Sequence, residues 1–164
     1  MANVWFTSDL HFGHKNIQKF RLEVESSEHN EQRIILDWNN KVTKRDIVYV
    51  LGDAAFTMES VHLFKALNGT KILIRGNHDN LNTQVYLRYF KSVEGLLKYK
   101  EFWLSHAPIH PNELRGKVNL HGHVHYASID DSRYVNMSVE NLWRLGYNSL
   151  ISLDEVRKLL KEIN

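Results

Sequence analysis

Five short apolar stretches of this chain each end in residue types that commonly bind metal ions. The groups are Ser8-Asp9-Leu10-His11, Gly52-Asp53, Gly76-Asn77-His78-Asp79, Ser105-His106 and Gly122-His123-Val124-His125. Each apolar stretch resembles a buried strand, so each group is expected where a strand enters a loop. Because the carboxyl ends of neighbouring strands meet at one edge of a sheet, the groups are expected to form one site.

Each group also has an ordinary structural explanation when it is taken alone. Asp9 or Asp53 could be a turn or cap residue, and His106 could be a loop histidine. The Gly76 group could be a tight turn, and the Gly122 group could be the polar face of a strand. A purely structural interpretation needs all five coincidences at once, so a shared metal site is favoured.

The spacing within the groups suits cation binding. Asp9 and His11 are two residues apart, so on an extended segment they would project to the same side. His123 and His125 repeat that spacing with two imidazoles. The glycine before Asp53 would let the backbone turn closely around a bound ion.

The number of available ligands indicates two ions rather than one. The side chains that offer a ligand atom are Asp9, His11, Asp53, Asn77, His106, His123 and His125. One ion seldom binds so many side chains and leaves room for a substrate, whereas two ions that share a carboxylate do. Nitrogen and oxygen ligands without sulfur favour Mn²⁺, with Fe, Ni or Zn as alternatives. In two-metal sites a bridging hydroxide attacks a phosphoester between ions ~3.5–4 Å apart.

His78 and Asp79 are left over after the ligands are counted. A histidine beside the metals and held by a carboxylate is suited to protonate the leaving oxygen. Both residues are therefore candidate catalytic groups.

Several other polar residues are candidates for contact with substrate. His14 and Asn16 follow the first group and could touch phosphate, although ordinary surface exposure explains them equally well. Arg75 and Arg21 could pair with an anionic substrate, although a lone arginine usually forms a surface ion pair. His121 is interpreted as support for the ligands rather than as a further ligand.

Composition predicts a soluble protein with one domain spanning residues 1–164. The chain has 21 basic and 19 acidic residues, and a net charge of +2 does not favour stable nucleic-acid binding. Cysteine is absent, which is typical of a cytoplasmic protein. No apolar stretch approaches the ~20 residues needed to span a bilayer, so no membrane association is expected. The sequence leaves the oligomeric state open.

The segments between the groups predict an α/β fold. Apolar residues recur at helical spacing in residues 28–42, 57–69, 81–90 and from 152 onward. A late strand is predicted over residues 134–139. The alternation of strands and helices indicates a core of sheet with helices outside it. The irregular segments 13–27 and 107–117 would border the site.

Taken in order, the five groups resemble the calcineurin-like metallophosphoesterase superfamily. Its pattern of Asp-x-His, Gly-Asp, Gly-Asn-His-Asp/Glu, His and Gly-His-x-His is complete here between residues 9 and 125. The surrounding residues 7–14, 38–39 and 119–123 are similar to the small bacterial and phage phosphoesterases. The resemblance implies a four-layer α/β/β/α sandwich with two mixed β-sheets. No cap domain is evident, so an open site is expected.

The resemblance also implies roles for individual residues. One metal ion would be bound by Asp9, His11, Asp53 and His125. The other would be bound by Asp53, Asn77, His106 and His123, with Asp53 as the bridge. His78 would be the leaving-group acid, and Asp79 would orient it.

The expected activity is hydrolysis of phosphoester bonds in a phosphorylated small molecule or nucleotide. Phosphodiesters and cyclic nucleotides are favoured over phosphomonoesters, but the residues would serve both. Two alternatives stay open: a non-catalytic interaction scaffold with the same fold, and a nuclease that acts on DNA or RNA ends. A scaffold would be expected to lose ligands or the acid histidine, and none is missing here.

Overall fold

Two mixed β-sheets form the centre of the structure, a computed structural model that describes residues 1–163. In chain order the strands are β1 (Val4–Thr7), β2 (Ile47–Val50), β3 (Thr70–Ile74), β4 (Ser92–Glu94), β5 (Leu97–Tyr99), β6 (Phe102–Leu104), β7 (Val118–His121), β8 (Tyr134–Asn136) and β9 (Ile151–Ser152). The first sheet has the order β4-β3-β2-β1-β9, and the second has the order β5-β6-β7-β8. Only β9 and β5 run antiparallel to their neighbours.

Most of the helices are short. They are α1 (Ser27–Lys41), α2 (Met58–Val61), α3 (Thr83–Tyr86), α4 (Val139–Arg144) and α5 (Leu153–Ile163), with 3-10 turns at Ile17–Lys19, His62–Ala66 and Pro111–Glu113. Among the described residues no helix combines the length and the apolar character that crossing a membrane requires.

Alternation along the strands of the first sheet divides the core in two. Phe6 and Tyr49 face the second sheet, and their rings stack at a centroid separation of 5.6 Å. Trp5 and Val48 face the opposite way, toward α1 and the short helices. Because successive side chains of a strand point to opposite faces, one sheet serves both cores.

Capping side chains fix the starts of several helices. The Ser26 hydroxyl accepts a hydrogen bond from the backbone N–H of His29 at the start of α1. Thr57 and Ser60 form a capping box at α2. Ser152 and Glu155 exchange the two hydrogen bonds of a capping box at the start of α5.

Three predicted elements are shorter than the sequence suggests. The helix expected over 57–69 becomes α2 followed by the 3-10 turn His62–Ala66, and the helix over 81–90 is reduced to α3. The late strand ends at Asn136, and Val139 begins α4. Apolar spacing does not distinguish these short alternatives, because the same residues are buried in each.

The outer face of the second sheet is covered by the segment 107–117. The backbone carbonyl of Leu114 accepts a hydrogen bond from the Trp103 indole, and that of Ile109 accepts one from the Tyr134 hydroxyl. The fourth layer is therefore an irregular segment with a 3-10 turn. The predicted α/β fold with two mixed sheets is confirmed.

Candidate metal centre

The five groups identified in the sequence converge at the carboxyl ends of β1, β2, β3, β6 and β7. Backbone hydrogen bonds join the first two loops directly. The N–H of Asp9 donates to the carbonyl of Gly52, and the N–H of His11 donates to the carbonyl of Asp53, at 3.0 and 2.9 Å. The side chains that these loops carry are thereby held against one another.

The first set of ligand atoms surrounds Asp9. The Nε2 atoms of His11 and His125 lie 3.7 and 3.8 Å from the Oδ1 of Asp9. The Nε2 of His11 is also 3.7 Å from the Oδ2 of Asp53. These four residues are the set that the resemblance assigns to one metal ion.

The second set surrounds the same oxygen of Asp53. Its Oδ2 lies 3.4 Å from the Nε2 of His106. The Oδ1 of Asn77 lies 2.9 Å from that nitrogen and 3.0 Å from the Nδ1 of His123. The Oδ2 of Asp53 therefore borders both sets, which is the position expected of a bridging ligand.

The backbone of the ligand pairs is not extended, contrary to the prediction from their spacing. Asp9 and His11 have φ angles of 57° and 52°, and His123 and His125 have φ angles of 74° and 51°. Left-handed conformations are uncommon for residues other than glycine and concentrate at functional sites. The two ligands of each pair still converge, because both residues adopt this left-handed conformation. In the first pair, Leu10 between Asp9 and His11 points into the core.

Close backbone approach requires glycine beside three of the ligands. A Cβ atom on Gly76 would lie 2.3 Å from the Oδ1 of Asp53. A Cβ atom on Gly122 would lie 2.3 Å from the Oδ2 of Asp9, and one on Gly52 would lie 2.3 Å from the Nδ1 of His106. No side chain fits at these separations.

Unpaired buried atoms show that the residues fit a divalent cation. Within residues 1–163, the Oδ1 of Asp9 and both ring nitrogens of His11 are buried and have no hydrogen-bond partner. Buried polar atoms are almost always paired, and each unpaired one requires an explanation. A cation between Asp9 and His11 would satisfy the Oδ1 and the Nε2 together, since both are metal-ligand atoms.

Charges in the cluster keep the carboxylates ionised. Burial alone would raise the pKa of Asp9, but the adjacent imidazoles of His11, His106 and His125 hold it well below its usual value. The same competition lowers the pKa of Asp53. Burial by itself would lower the pKa of His106, whereas Asp53, Asp9 and the Leu51 carbonyl raise it to about 9.

Within the described residues no hydrogen bond joins Asp79 to the His78 ring, where the predicted orienting role would place one. The buried carboxylate of Asp79 accepts hydrogen bonds at 2.8 Å from the backbone N–H groups of Asp53, Ala54 and Gly76. Burial raises the pKa of this carboxyl, and the N–H donors oppose the rise. Asp79 therefore fixes the loop that carries Asp53, because its carboxylate binds the N–H groups of both Asp53 and Ala54.

His78 lies beside the first ligand set. Its backbone N–H donates to the Oδ1 of Asp53 at 2.9 Å, and its exposed ring lies 5.9 Å from that of His11. In the part of the chain that the structure describes, no side chain hydrogen-bonds to the His78 ring. The imidazole is free to contact a substrate.

A buried network behind the first set was not predicted from the sequence. Glu140 accepts hydrogen bonds on its Oε1 from the Nδ1 of His125 at 3.0 Å and from Arg21 at 2.6 Å. Arg21 also donates to the Asp9 carbonyl at 2.6 Å and to Asn30 at 2.5 Å. The suggestion that Arg21 pairs with substrate is therefore wrong, because its guanidinium is fully buried and paired within the protein. The sequence feature that could have indicated Glu140 is its position directly after the predicted late strand, residues 134–139.

The weaker candidates have different outcomes. The guanidinium of Arg75 donates to the Asp79 and Leu81 carbonyls and to the Thr83 hydroxyl, and the residue also lines a cavity beside Asn77 and His106, so its substrate contact stays a prediction. Asn16 is exposed and does not line the neighbouring cavity. His14 does line that cavity.

The buried ring of His121 lies behind the candidate ligands, next to the backbone of Gly122. Its Nδ1 lies 2.8 Å from the Gly122 carbonyl, and burial lowers its pKa.

Two cavities border the cluster, one beside each ligand set. One, of about 430 Å³, is lined by His11 and His125 of the first set together with His78. The other, of about 590 Å³, is lined by Asn77, His106 and His123 of the second set. Substrate groups could therefore extend from the cluster in two directions.

Comparison with known proteins places this geometry in a family. The model of the calcineurin-like phosphoesterases matches residues 2–162. The uncharacterized protein MJ1445 of Methanocaldococcus jannaschii is 32% identical over an alignment that covers all of this chain and 98% of that protein. The gene 66 protein of Mycobacterium phage L5 is 28% identical, with 100% and 97% of the two chains covered.

A solved structure shares the fold. The protein of unknown function AQ665 from Aquifex aeolicus superposes with a TM-score of 0.76 at 27% identity, covering 97% of this chain and 100% of that one. The family match extends over almost the whole sequence and includes all five ligand groups. The chain therefore belongs to the calcineurin-like phosphoesterase family.

Proposed function

We propose that this protein hydrolyses phosphoester bonds with two divalent metal ions, of which Mn²⁺ best suits the ligands. The observation that carries the proposal is the position of the Asp53 Oδ2, within 3.4 Å of the His106 Nε2 and 3.7 Å of the His11 Nε2. The ions would neutralise charge on phosphate oxygens and activate the attacking water. One would be held by Asp9, His11, Asp53 and His125, and the other by Asp53, Asn77, His106 and His123.

The protein's own groups would orient and protonate the substrate. The Asp53 Oδ1 accepts the His78 N–H, so the residue that bridges the ligand sets also positions the acid. The His78 ring faces a cavity that begins at His11 and His125. A proton from this imidazole would pass to the oxygen of the departing alcohol, which leaves neutral.

The two cavities support a phosphodiester in preference to a phosphomonoester. A diester carries two organic groups on phosphorus, and the cluster has a cavity beside each ligand set. A monoester would use one of them. The expected substrate is thus a small molecule or nucleotide with a phosphodiester or cyclic phosphate, and the predicted cytoplasmic location stays part of this proposal.

Hydrolysis of bis-p-nitrophenyl phosphate and p-nitrophenyl phosphate with Mn²⁺ tests the proposal. We expect turnover of the diester by the wild type and its loss in Asp53→Asn. His78→Ala should slow a poor alkyl leaving group by about 10²–10⁴-fold. It should affect p-nitrophenolate far less, because that anion leaves without a proton. Asp130→Asn, an exposed carboxylate change, is the matched control.

The alternatives predict other results. A non-catalytic scaffold would turn over no phosphoester with any divalent metal across a broad panel, and that outcome would overturn the proposal. A nuclease would hydrolyse oligonucleotide ends, with binding that weakens as salt rises.

A further inference from the structure

The cavity beside the first ligand set has aromatic walls. Besides four histidines, His14 among them, it is lined by Ile17, Phe20, Phe56 and Glu140. Its volume of about 430 Å³ is within the range of small-molecule sites. Among the described residues that line it there is no lysine or arginine, so it is not built for a second phosphate group.

Phe20 is left largely in solvent at the rim of this cavity. The side chain is 66% exposed, although its backbone is fixed by a hydrogen bond of 2.9 Å from the Phe20 N–H to the Ile17 carbonyl. The rings of Phe20 and Phe56 both meet the His14 imidazole edge to face, at centroid separations of 5.6 and 5.1 Å. The two phenyl rings thus share a contact and offer aromatic surface to a ligand.

The cavity adjoins the group that would protonate the leaving oxygen. The Phe56 ring lies 5.3 Å from the His78 ring, and the interplanar angle is 32°. Whatever occupies the cavity is therefore close to His78. An organic group on an oxygen that receives a proton from His78 would therefore extend into this cavity.

We propose that this cavity binds a planar, uncharged aromatic group of nucleobase size on the leaving side of the substrate. The ring would pack against Phe20 and Phe56, with His14 between them as a further wall. Stacking of a base on aromatic side chains is strong and tolerant of base identity, so selection would be for an aromatic group rather than for one base. The assignment to the leaving side rests on the proposed function, through His78.

Calorimetric binding of AMP and of ribose 5-phosphate, in which an anomeric hydroxyl replaces the base, tests this inference. Both are titrated into Mn²⁺-loaded His78→Ala protein, in which hydrolysis is suppressed. We expect AMP to bind about tenfold more tightly or better. Adding Phe20→Ala should bring the ratio of the two dissociation constants close to one, and Phe20→Trp should retain it.

Leu22→Ala is the matched control. Leu22 is 88% exposed on the same segment and does not line the cavity, so this change should leave the ratio as it was. Melting temperatures of all variants establish that each is folded.

Equal affinities for AMP and ribose 5-phosphate, or a ratio that Phe20→Ala leaves intact, would overturn the inference. These binding results are independent of turnover. Failure of the wild type to hydrolyse any phosphoester overturns the proposed function instead, and is measured separately.

Discussion

The Nδ1 of His125 donates a hydrogen bond of 3.0 Å to the carboxylate of Glu140, and this contact turns its Nε2 toward Asp9. Glu140 is ionised, because Arg21 and His125 lower its pKa against the effect of burial. An ionised carboxylate only accepts hydrogen bonds, so the proton of His125 is on Nδ1. The Nε2 lone pair is then free for a metal ion.

Replacing Glu140 by glutamine should weaken metal binding by about 10–100-fold. The amide keeps the shape but loses the charge that makes His125 a stronger ligand. It also leaves the buried Arg21 without its counterion, so the free energy of unfolding should fall as well. Calorimetric titration of Mn²⁺ and urea denaturation measure the two effects.

Glu162→Gln, an exposed change in α5, should alter neither quantity. Metal affinity equal to that of the wild type in Glu140→Gln would show that the contact with Glu140 does not support His125.

Replacing Asp79 by asparagine should destabilise the protein by about 1.5–3 kcal/mol. The amide nitrogen would face backbone N–H groups that now donate to a carboxylate. Mn²⁺ affinity should also fall, because the loop that carries Asp53 loses its anchor. Urea denaturation and calorimetry measure these changes, with Asp130→Asn as the control.

The sequence-based role of Asp79 predicts something different. If Asp79 oriented His78, the basic limb of the pH–rate profile would move while stability stayed the same. The structure predicts lower stability and an unmoved limb.

Metal-free protein should lose stability as the pH rises from about 6.5 to about 9. The pKa of His106 is raised to about 9 in the folded state, against ~6.5 for an unperturbed imidazole. A raised folded-state pKa adds stability that is fully present below the unfolded value and lost as pH passes the folded one. The melting temperature of chelator-treated protein should therefore decline across this range.

Mn²⁺ should show the opposite trend. A metal ion needs the neutral imidazole and competes with its proton, so the rise in melting temperature on adding Mn²⁺ should grow over the same range. His106→Gln should weaken both dependences, and the part that remains is expected from His125, whose pKa is raised by Glu140. A metal-free melting temperature that does not vary with pH in the wild type would contradict the protonated state of His106.

The convergence of the candidate ligands could be predicted from the sequence because each is tied to a local pattern. An apolar strand, a glycine and a polar group follow one another in the chain, as at Ile74, Gly76 and Asn77. Helix starts were equally local, since a cap and its partner are three residues apart at Thr57 and Ser60.

Features that depend on distant contacts could not be predicted. Arg21 and Glu140 are 119 residues apart, so no spacing rule relates them. The partners of Asp79 are backbone N–H groups, which almost every residue has and which therefore leave no pattern in the sequence. The left-handed backbone of Asp9 and His11 accompanies hydrogen bonds to the neighbouring loop, which lies more than 40 residues further along the chain.

The three glycines packed against ligands bear on how related centres are recognised in genomes. Gly52 lies against His106, Gly76 against Asp53 and Gly122 against Asp9. A homologous gene could retain every ligand codon and still encode a damaged centre, if a larger residue at one of these positions pushes a ligand aside. The presence of all three glycines is therefore a search filter for genes that can encode an undistorted centre, beyond the ligand signature alone.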